Sequence, residues 1–151
     1  MFKRTLLLLI IFSFLYGCGY EPLYLKNNDL EKSIKNINLE GEEKINRKII
    51  SFLGINEVGN TGIGHTLNLT SKKKIEVISR DEGGNPSVYK FSIVIDILIK
   101  DGQKNIKQKE FYVDFIYNNI DNKFNLSQYR KSIEKNLVNE LNEKIFIFLK
   151  S

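Results

Sequence analysis

The stretch VYKFSIVIDILI, residues 88–99, decides the fold. Every second side chain in it is aromatic or branched aliphatic, and these are Tyr89, Phe91, Ile93, Ile95, Ile97 and Ile99. The intervening positions mix Lys90, Ser92 and Asp96 with the apolar Val94 and Leu98. A period of two residues predicts a β-strand. We expect one face of this strand to be buried and the other to be partly covered.

Similar alternation on both sides of this stretch predicts two neighbouring strands. Leu67 and Leu69 alternate with polar residues, as do Ile75 and Val77. After residue 110, one face collects Phe111, Val113, Phe115 and Tyr117. The connections at residues 81–86 (DEGGNP) and 101–103 (DGQ) have the composition of turns. Two successive hairpins therefore predict an antiparallel meander.

The C-terminal segment has the periodicity of a helix instead. Its apolar residues recur every three or four positions, at Leu126, Tyr129, Ile133, Leu137, Leu141, Ile145 and Phe148. A membrane-surface helix needs a strongly basic polar face. Because Glu134, Glu140 and Glu143 dilute the basic residues here, we expect a core helix that packs on the sheet.

A shorter strand and helix precede the meander. Lys35, Ile37 and Leu39 alternate with asparagines, and Gly41 ends this strand. The helix then opens with acids and continues with apolar residues at helical spacing up to a glycine cap: Glu42, Glu43, Ile45, Ile49, Phe52, Leu53 and Gly54. The predicted fold class is α+β, a two-layer sandwich in the order β-α-β-β-β-α. Two helices cover one face of a four-stranded mixed sheet that is mostly an antiparallel meander.

Nothing in the sequence predicts an enzyme. The glycine-rich residues 56–66 are expected to form a loop, and they lack the Lys-Ser/Thr or second glycine pattern of a phosphate cradle. Catalysis would have to use His65, the only histidine, with Asp81 or Glu57, and no Ser or Cys motif lies nearby. We therefore predict no catalytic residue, no metal site and no nucleic-acid partner.

The first residues predict export and a lipid anchor. Lys3 and Arg4 precede an apolar run at residues 6–15, which is about half the length of a membrane span. Leu15-Tyr16-Gly17-Cys18 then resembles the lipobox of bacterial lipoprotein precursors, although Tyr16 replaces the usual small residue. Cys18 is the only cysteine, and acylation accounts for a lone thiol in an exported chain.

These residues divide the chain into a signal peptide (1–17), a lipidated tether (18–29) and a single domain (30–151). The only prosthetic groups expected are the covalent diacylglycerol and N-acyl lipid on Cys18. Gly19 follows the lipidated cysteine, at the position where an aspartate commonly retains bacterial lipoproteins in the inner membrane. Because that aspartate is missing, we predict an anchor in the outer membrane, on the periplasmic side. Loss of Lys3 and Arg4 lowers the net charge from +5 to +3, which is compatible with an anionic lipid partner.

Four passages together resemble the family of the lipopolysaccharide-assembly lipoprotein LptE. The most specific is Cys18-Gly19-Tyr20-Glu21-Pro22-Leu23-Tyr24, similar to the start of alphaproteobacterial members. A short strand and helix follow, and Ser79-Arg80-Asp81 with a glycine-rich turn and Tyr89 resembles a strand-turn-strand passage of the family. Residues 115–119 (FIYNN) and the last helix are similar to its closing strand and helix.

The resemblance implies a function without covalent chemistry. Members plug the LptD β-barrel, assist its assembly and help to deliver lipopolysaccharide to the outer leaflet. They are reported to bind lipopolysaccharide through basic residues near one end of the sheet, and Arg80 matches such a position. Charge alone adds Lys72, Lys73 and Lys74, together with Lys123 in the loop before the last helix, although a solvated lysine run is an equally good interpretation of residues 72–74. The alternative function is a non-catalytic accessory lipoprotein of another envelope transport or secretion complex.

Overall fold

The computed structural model describes residues 34–55 and 64–150. The elements follow in the predicted order and are β1 (Ile34–Gly41), α1 (Glu43–Leu53), β2 (His65–Arg80), β3 (Pro86–Asp101), β4 (Lys104–Asn118) and α2 (Lys123–Lys150). The predicted α+β fold, with a four-stranded mixed sheet and two helices, is confirmed. The signal peptide, the lipid site at Cys18, the tether and Glu57 lie outside the described residues.

The strands lie side by side in the order β1-β2-β3-β4. β2 pairs with β3, and β3 with β4, as antiparallel hairpins over nearly their whole lengths. β1 is parallel to β2, from Ile34 opposite His65 to Gly41 opposite Ser71. The helix α1 is therefore the crossover that parallel neighbours require.

The core lies between the helices and the face of β3 that the sequence predicts to be buried. Phe91, Ile93, Ile95 and Ile97 are at most 2% exposed. The same core contains residues of both helices: Ile45, Ile49, Leu53, Ile133, Leu137, Leu141 and Ile145. On the opposite face of β3, Val94 and Leu98 are half-buried, so the prediction of one buried and one partly covered face holds.

A tight corner joins β1 to α1. The side-chain oxygen of Ser71 accepts a hydrogen bond from the Glu42 backbone nitrogen (2.9 Å). Gly41 has φ +90° where the backbone of β1 passes Ser71. At the other end of α1, Gly54 has φ +68° and its nitrogen bonds the carbonyls of the last turn, as predicted for a glycine cap.

Four boundaries predicted from the sequence are wrong. Asp101 was placed in a turn and is the last residue of β3. His65 and Thr66 were placed in the loop, but they are the first residues of β2, because pairing with β1 and β3 extends the strand beyond its first apolar residue. Pro86 was placed in a turn and begins β3 opposite Arg80. Lys123 was placed before the last helix and is its first residue.

Candidate functional site

Arg80 stands at the outer end of β2, where the β2–β3 turn leaves the sheet. Its Nη1 donates a hydrogen bond to the carbonyl oxygen of Gly84 (2.8 Å). Asp81 stabilises the same turn by accepting a hydrogen bond from the Asn85 backbone nitrogen (2.8 Å). Arg80 is exposed and makes no ion pair with a described residue. A guanidinium has five N–H donors, so Arg80 keeps donors that can bind an anion.

We call this end of the sheet, with Arg80, Pro86 and Asn118, the Arg80 end. Tyr89 and Tyr117 face each other on β3 and β4 with stacked rings, 5.5 Å between centroids. Arg130 of α2 lies over the Tyr89 ring at 4.8 Å, and its Nε donates to the Tyr117 hydroxyl at 2.8 Å. Stacking and hydrogen bonding of this kind hold a guanidinium in one orientation.

Arg130 was not among the predicted binding residues. The sequence pattern assigns Tyr129 to the apolar side of the helix. It assigns Tyr89 and Tyr117, which Arg130 contacts, to inward faces of their strands. The missing information is the register that sets Tyr89 opposite Tyr117. The sequence does contain one relevant signal. Three tyrosines are predicted to face the layer between sheet and helix, and Arg130 directly follows one of them, Tyr129.

Three basic residues lie at the Arg80 end of the sheet. Arg80 lies three residues beyond Val77, the register partner of Tyr89, which is a distance of about 10 Å along the strand. Lys123 starts α2 seven residues, about 10 Å of helix, before Arg130. Two of the five predicted candidates, Arg80 and Lys123, therefore lie at one end of the sheet, together with Arg130.

Residues 72–74 lie elsewhere. Lys72 is eight residues before Arg80 on β2, a separation of about 26 Å along the strand. Lys74 bonds Glu76 (2.8 Å), which also lies 3.7 Å from Lys90. The hydrogen bond from Lys74 is the main cause that lowers the pKa of Glu76. Lys72 makes no ion pair with a described residue and remains exposed.

Lys73 projects to the helical side and joins both helices to the sheet. Its Nζ lies 3.2 Å from carboxylate oxygens of both Glu42 and Glu134. Partial burial acts to lower the pKa of Lys73, but the hydrogen bonds and charges of the two glutamates outweigh it, so the pKa is raised above the ordinary 10.5. This lysine has a structural role in the free protein.

Replacing Lys73 with methionine is expected to lower the free energy of unfolding by about 0.5–1 kcal/mol at neutral pH, because the ion pairs are partly exposed. Because the pKa of Lys73 is higher in the folded than in the unfolded protein, the ion pairs contribute their full stability at pH values below the unfolded-state pKa. That stability is lost as the pH rises through the folded-state pKa. Urea unfolding at about pH 8 and about pH 11 measures the loss. Lys72→Met is the control, and an equal effect of the two changes would contradict the assignment.

Two clefts open on the helical side. A groove of about 650 Å³ runs between α1 and α2, and its lining includes Arg47, Lys48, Lys131 and Lys135. A smaller cleft of about 200 Å³ lies between β4 and α2 beside Phe115 and Tyr129. In the larger groove, neighbouring carboxylates offset part of the positive charge, since Arg47 pairs with Glu43 and Lys48 with Glu134. The described lining of the smaller cleft carries acids, Asp114 and Glu140, and no basic residue.

The single histidine lies far from the Arg80 end. His65 is half-buried opposite Asp101, and its Nδ1 has no hydrogen-bond partner among the described residues. Within residues 34–55 and 64–150, no group of three or more His, Cys, Asp or Glu side chains could hold a metal ion. No described helix is long and apolar enough to cross a membrane.

The comparisons with known proteins show the fold. Neither a family model nor a curated protein sequence matches this chain. Rare lipoprotein B from Shewanella oneidensis is 12% identical, with a TM-score of 0.57 over 76% of this chain and 93% of that one. The chain has the lipoprotein B fold. A minor lipoprotein from Acinetobacter baumannii (11% identical, TM-score 0.57, 76% of this chain and 87% of that one) shares it.

The lipoprotein B fold recurs in a lipoprotein B from Nitrosomonas europaea, which is 9% identical with a TM-score of 0.55. That match covers 76% of this chain and 83% of the other. The matched length of each neighbour shows that the whole sheet-and-helix arrangement is shared. At these identities the likeness establishes architecture, and function has to be argued from the residues.

Proposed function

We propose that this chain is an outer-membrane lipoprotein that plugs and assists assembly of an LptD-type β-barrel and takes part in lipopolysaccharide delivery. An acylated Cys18 would hold it on the periplasmic side, and no catalytic step is involved. The observation that carries the proposal is a lipoprotein B fold directly after a C-G-Y-E-P-L-Y start. The fold and the lipid-site motif are independent features of the chain, and both point to envelope lipoproteins of the LptE type.

The Arg80 end supplies a chemical basis for contact with lipopolysaccharide. Its phosphates and carboxylates are anionic, and a guanidinium binds such groups with two parallel hydrogen bonds. Arg80 and Lys123 are exposed there, and Arg130 is held in place by Tyr89 and Tyr117. The β2–β3 hairpin turns and α2 begins at this end of the sheet, so all three basic residues are at the same end of the domain.

Co-purification tests the barrel partner. A tag after the C-terminal helix, with the chain extracted from membranes in mild detergent, is expected to retain an LptD-type barrel. The control is a tagged, unrelated outer-membrane lipoprotein handled in the same way. Recovery of a different transport or secretion complex would support the alternative accessory function, and recovery without a barrel would refute the proposal.

Arg80→Asp is expected to weaken lipopolysaccharide binding about tenfold or more, since it replaces a charge-assisted hydrogen bond with repulsion. Barrel association should be unchanged. Lys44→Asp is the matched control, because Lys44 is an exposed residue of α1 that undergoes the same change of charge. Equal binding by Arg80→Asp and the control, measured on immobilised lipopolysaccharide, would remove Arg80 from the site.

A further inference from the structure

The opposite end of the sheet carries a second basic surface, which we call the Lys104 end. It comprises residues 99–109, around the β3–β4 turn, and residues 146–150 at the end of α2. We propose that the Lys104 end rests on the anionic phospholipid headgroups of the leaflet that holds the lipid anchor. This inference rests on the part of the proposed function that places acyl chains on Cys18.

The chain joins the fold at this end. Ile34, the first residue of β1, pairs with His65, and His65 pairs with Asp101 at the β3–β4 turn. Sixteen residues separate Ile34 from Cys18 along the chain, so the connection spans at most about 55 Å. The Arg80 end lies a further 16-residue strand away, about 50 Å. Along the chain, the Lys104 end is therefore the one nearer to the anchor, and a short connection suffices to bring it to the membrane.

Positive charge is concentrated at the Lys104 end. Within its two segments the only acid is Asp101, against five lysines: Lys100, Lys104, Lys107, Lys109 and Lys150. None of the five forms an ion pair with a described residue, although Lys73, Lys74, Lys90 and Lys144 do. Glu110 and Glu143 lie just outside. The local excess of four charges exceeds the excess of three predicted for the whole mature chain.

Three of these five lysines, Lys107, Lys109 and Lys150, lie beside aromatic rings. Nζ of Lys109 is 5.3 Å from the Phe111 ring centre and 5.6 Å from that of Phe148. Nζ of Lys150 is 4.3 Å from the Phe146 ring centre. Lys107 donates to the carbonyl oxygen of Phe148 (3.4 Å). Lysines that pack beside aromatic rings combine apolar surface with positive charge, and this combination suits the boundary between headgroups and acyl chains.

Exposed aliphatic side chains complete this surface. Ile147 is 68% exposed in the last turn of α2, and Ile106 is 44% exposed on β4. Binding to an acidic protein would require only the lysines. A membrane of anionic lipids attracts the lysines and can also bury the isoleucines, so the combination favours a lipid surface. A domain seated in a barrel would keep this end outside the lumen, on the side of the leaflet with the acyl chains.

An environment-sensitive fluorophore is attached to the new thiol of an Ile147→Cys variant of the full, acylated protein. Labelling is selective because acylation blocks Cys18, the only other cysteine. Phe124→Cys is the matched control, since Phe124 is also 68% exposed but lies in the first turn of α2, at the Arg80 end. The protein is reconstituted into vesicles of phosphatidylcholine alone or with phosphatidylglycerol. We expect a blue shift at position 147 that depends on phosphatidylglycerol, and none at position 124.

Charge reversal provides the second arm. Lys109→Glu with Lys150→Glu is expected to abolish most of the shift, and Lys44→Glu with Lys131→Glu, an equal change on the exposed helical side, is expected to preserve it. The inference would be overturned if no shift occurred, or if the shifts at positions 124 and 147 were equal. It would also be overturned if both double variants lost the shift equally. Fluorophore on Cys18, detected from the intact mass, would show instead that the anchor of the proposed function is absent.

Discussion

Phe91→Ala is expected to lower the free energy of unfolding by about 3–5 kcal/mol. Phe91 is 2% exposed in the middle of β3, and it packs in the core that the sheet shares with α1 and α2. The change removes a ring from close-packed surroundings and leaves a cavity that the neighbouring strands can close only in part. Urea unfolding followed by circular dichroism measures the loss.

Phe115→Ala is the matched control. Phe115 is the register partner of Phe91 on β4 and points to the same face, yet it is 44% exposed. It stands at the edge strand, where the cleft beside Tyr129 leaves the ring open. A loss of less than about 1 kcal/mol is expected. If the two variants were equally destabilised, the position of α2 over the sheet described here would be wrong.

Gly41→Ala is expected to destabilise the domain by about 3 kcal/mol or more. A Cβ at Gly41 would lie 1.9 Å from the backbone oxygen of Ser71. Ser71 is buried and its side chain bonds Glu42, so the backbone of β2 cannot move away without breaking the corner that starts α1. The φ of +90° adds strain for any residue with a Cβ.

Gly54→Ala separates these two causes. Gly54 also has a positive φ, +68°, but nothing lies within 4 Å of its added Cβ. Only the conformational cost of about 1 kcal/mol is expected there. The comparison is made by thermal or urea unfolding of both variants. Equal losses at the two glycines would mean that contact with Ser71 does not determine the role of Gly41.

The architecture was largely predictable because its long strands alternate without interruption. The period of two from Tyr89 to Ile99 identified the buried face of β3, and the helical spacing from Leu126 to Phe148 identified α2. Phe115 shows the limit of this reasoning. Its alternation matches that of its buried neighbours, but exposure depends on how far α2 covers the edge strand, and the strand pattern contains no information on that.

The candidate site was less predictable, since it depends on long-range pairing. A lysine run at residues 72–74 suggests one basic patch, but alternation along β2 sends Lys73 to the helical side and its neighbours to the other. Its partners are far apart in sequence, because Glu42 directly precedes α1 and Glu134 lies in α2. Arg130 was missed for the same reason, because the tyrosine pair beneath it forms only through the β3–β4 register.

Native mass spectrometry of the complex extracted from outer membranes tests the proposed function most directly. The account predicts one copy of this chain, beginning at Cys18 and carrying its diacylglycerol and N-acyl chains, bound to one LptD-type barrel. The subunit mass reports the anchor, and the assembly mass reports the partner. A chain found without a barrel, or one that still carries residues 1–17 and no lipid, would contradict it.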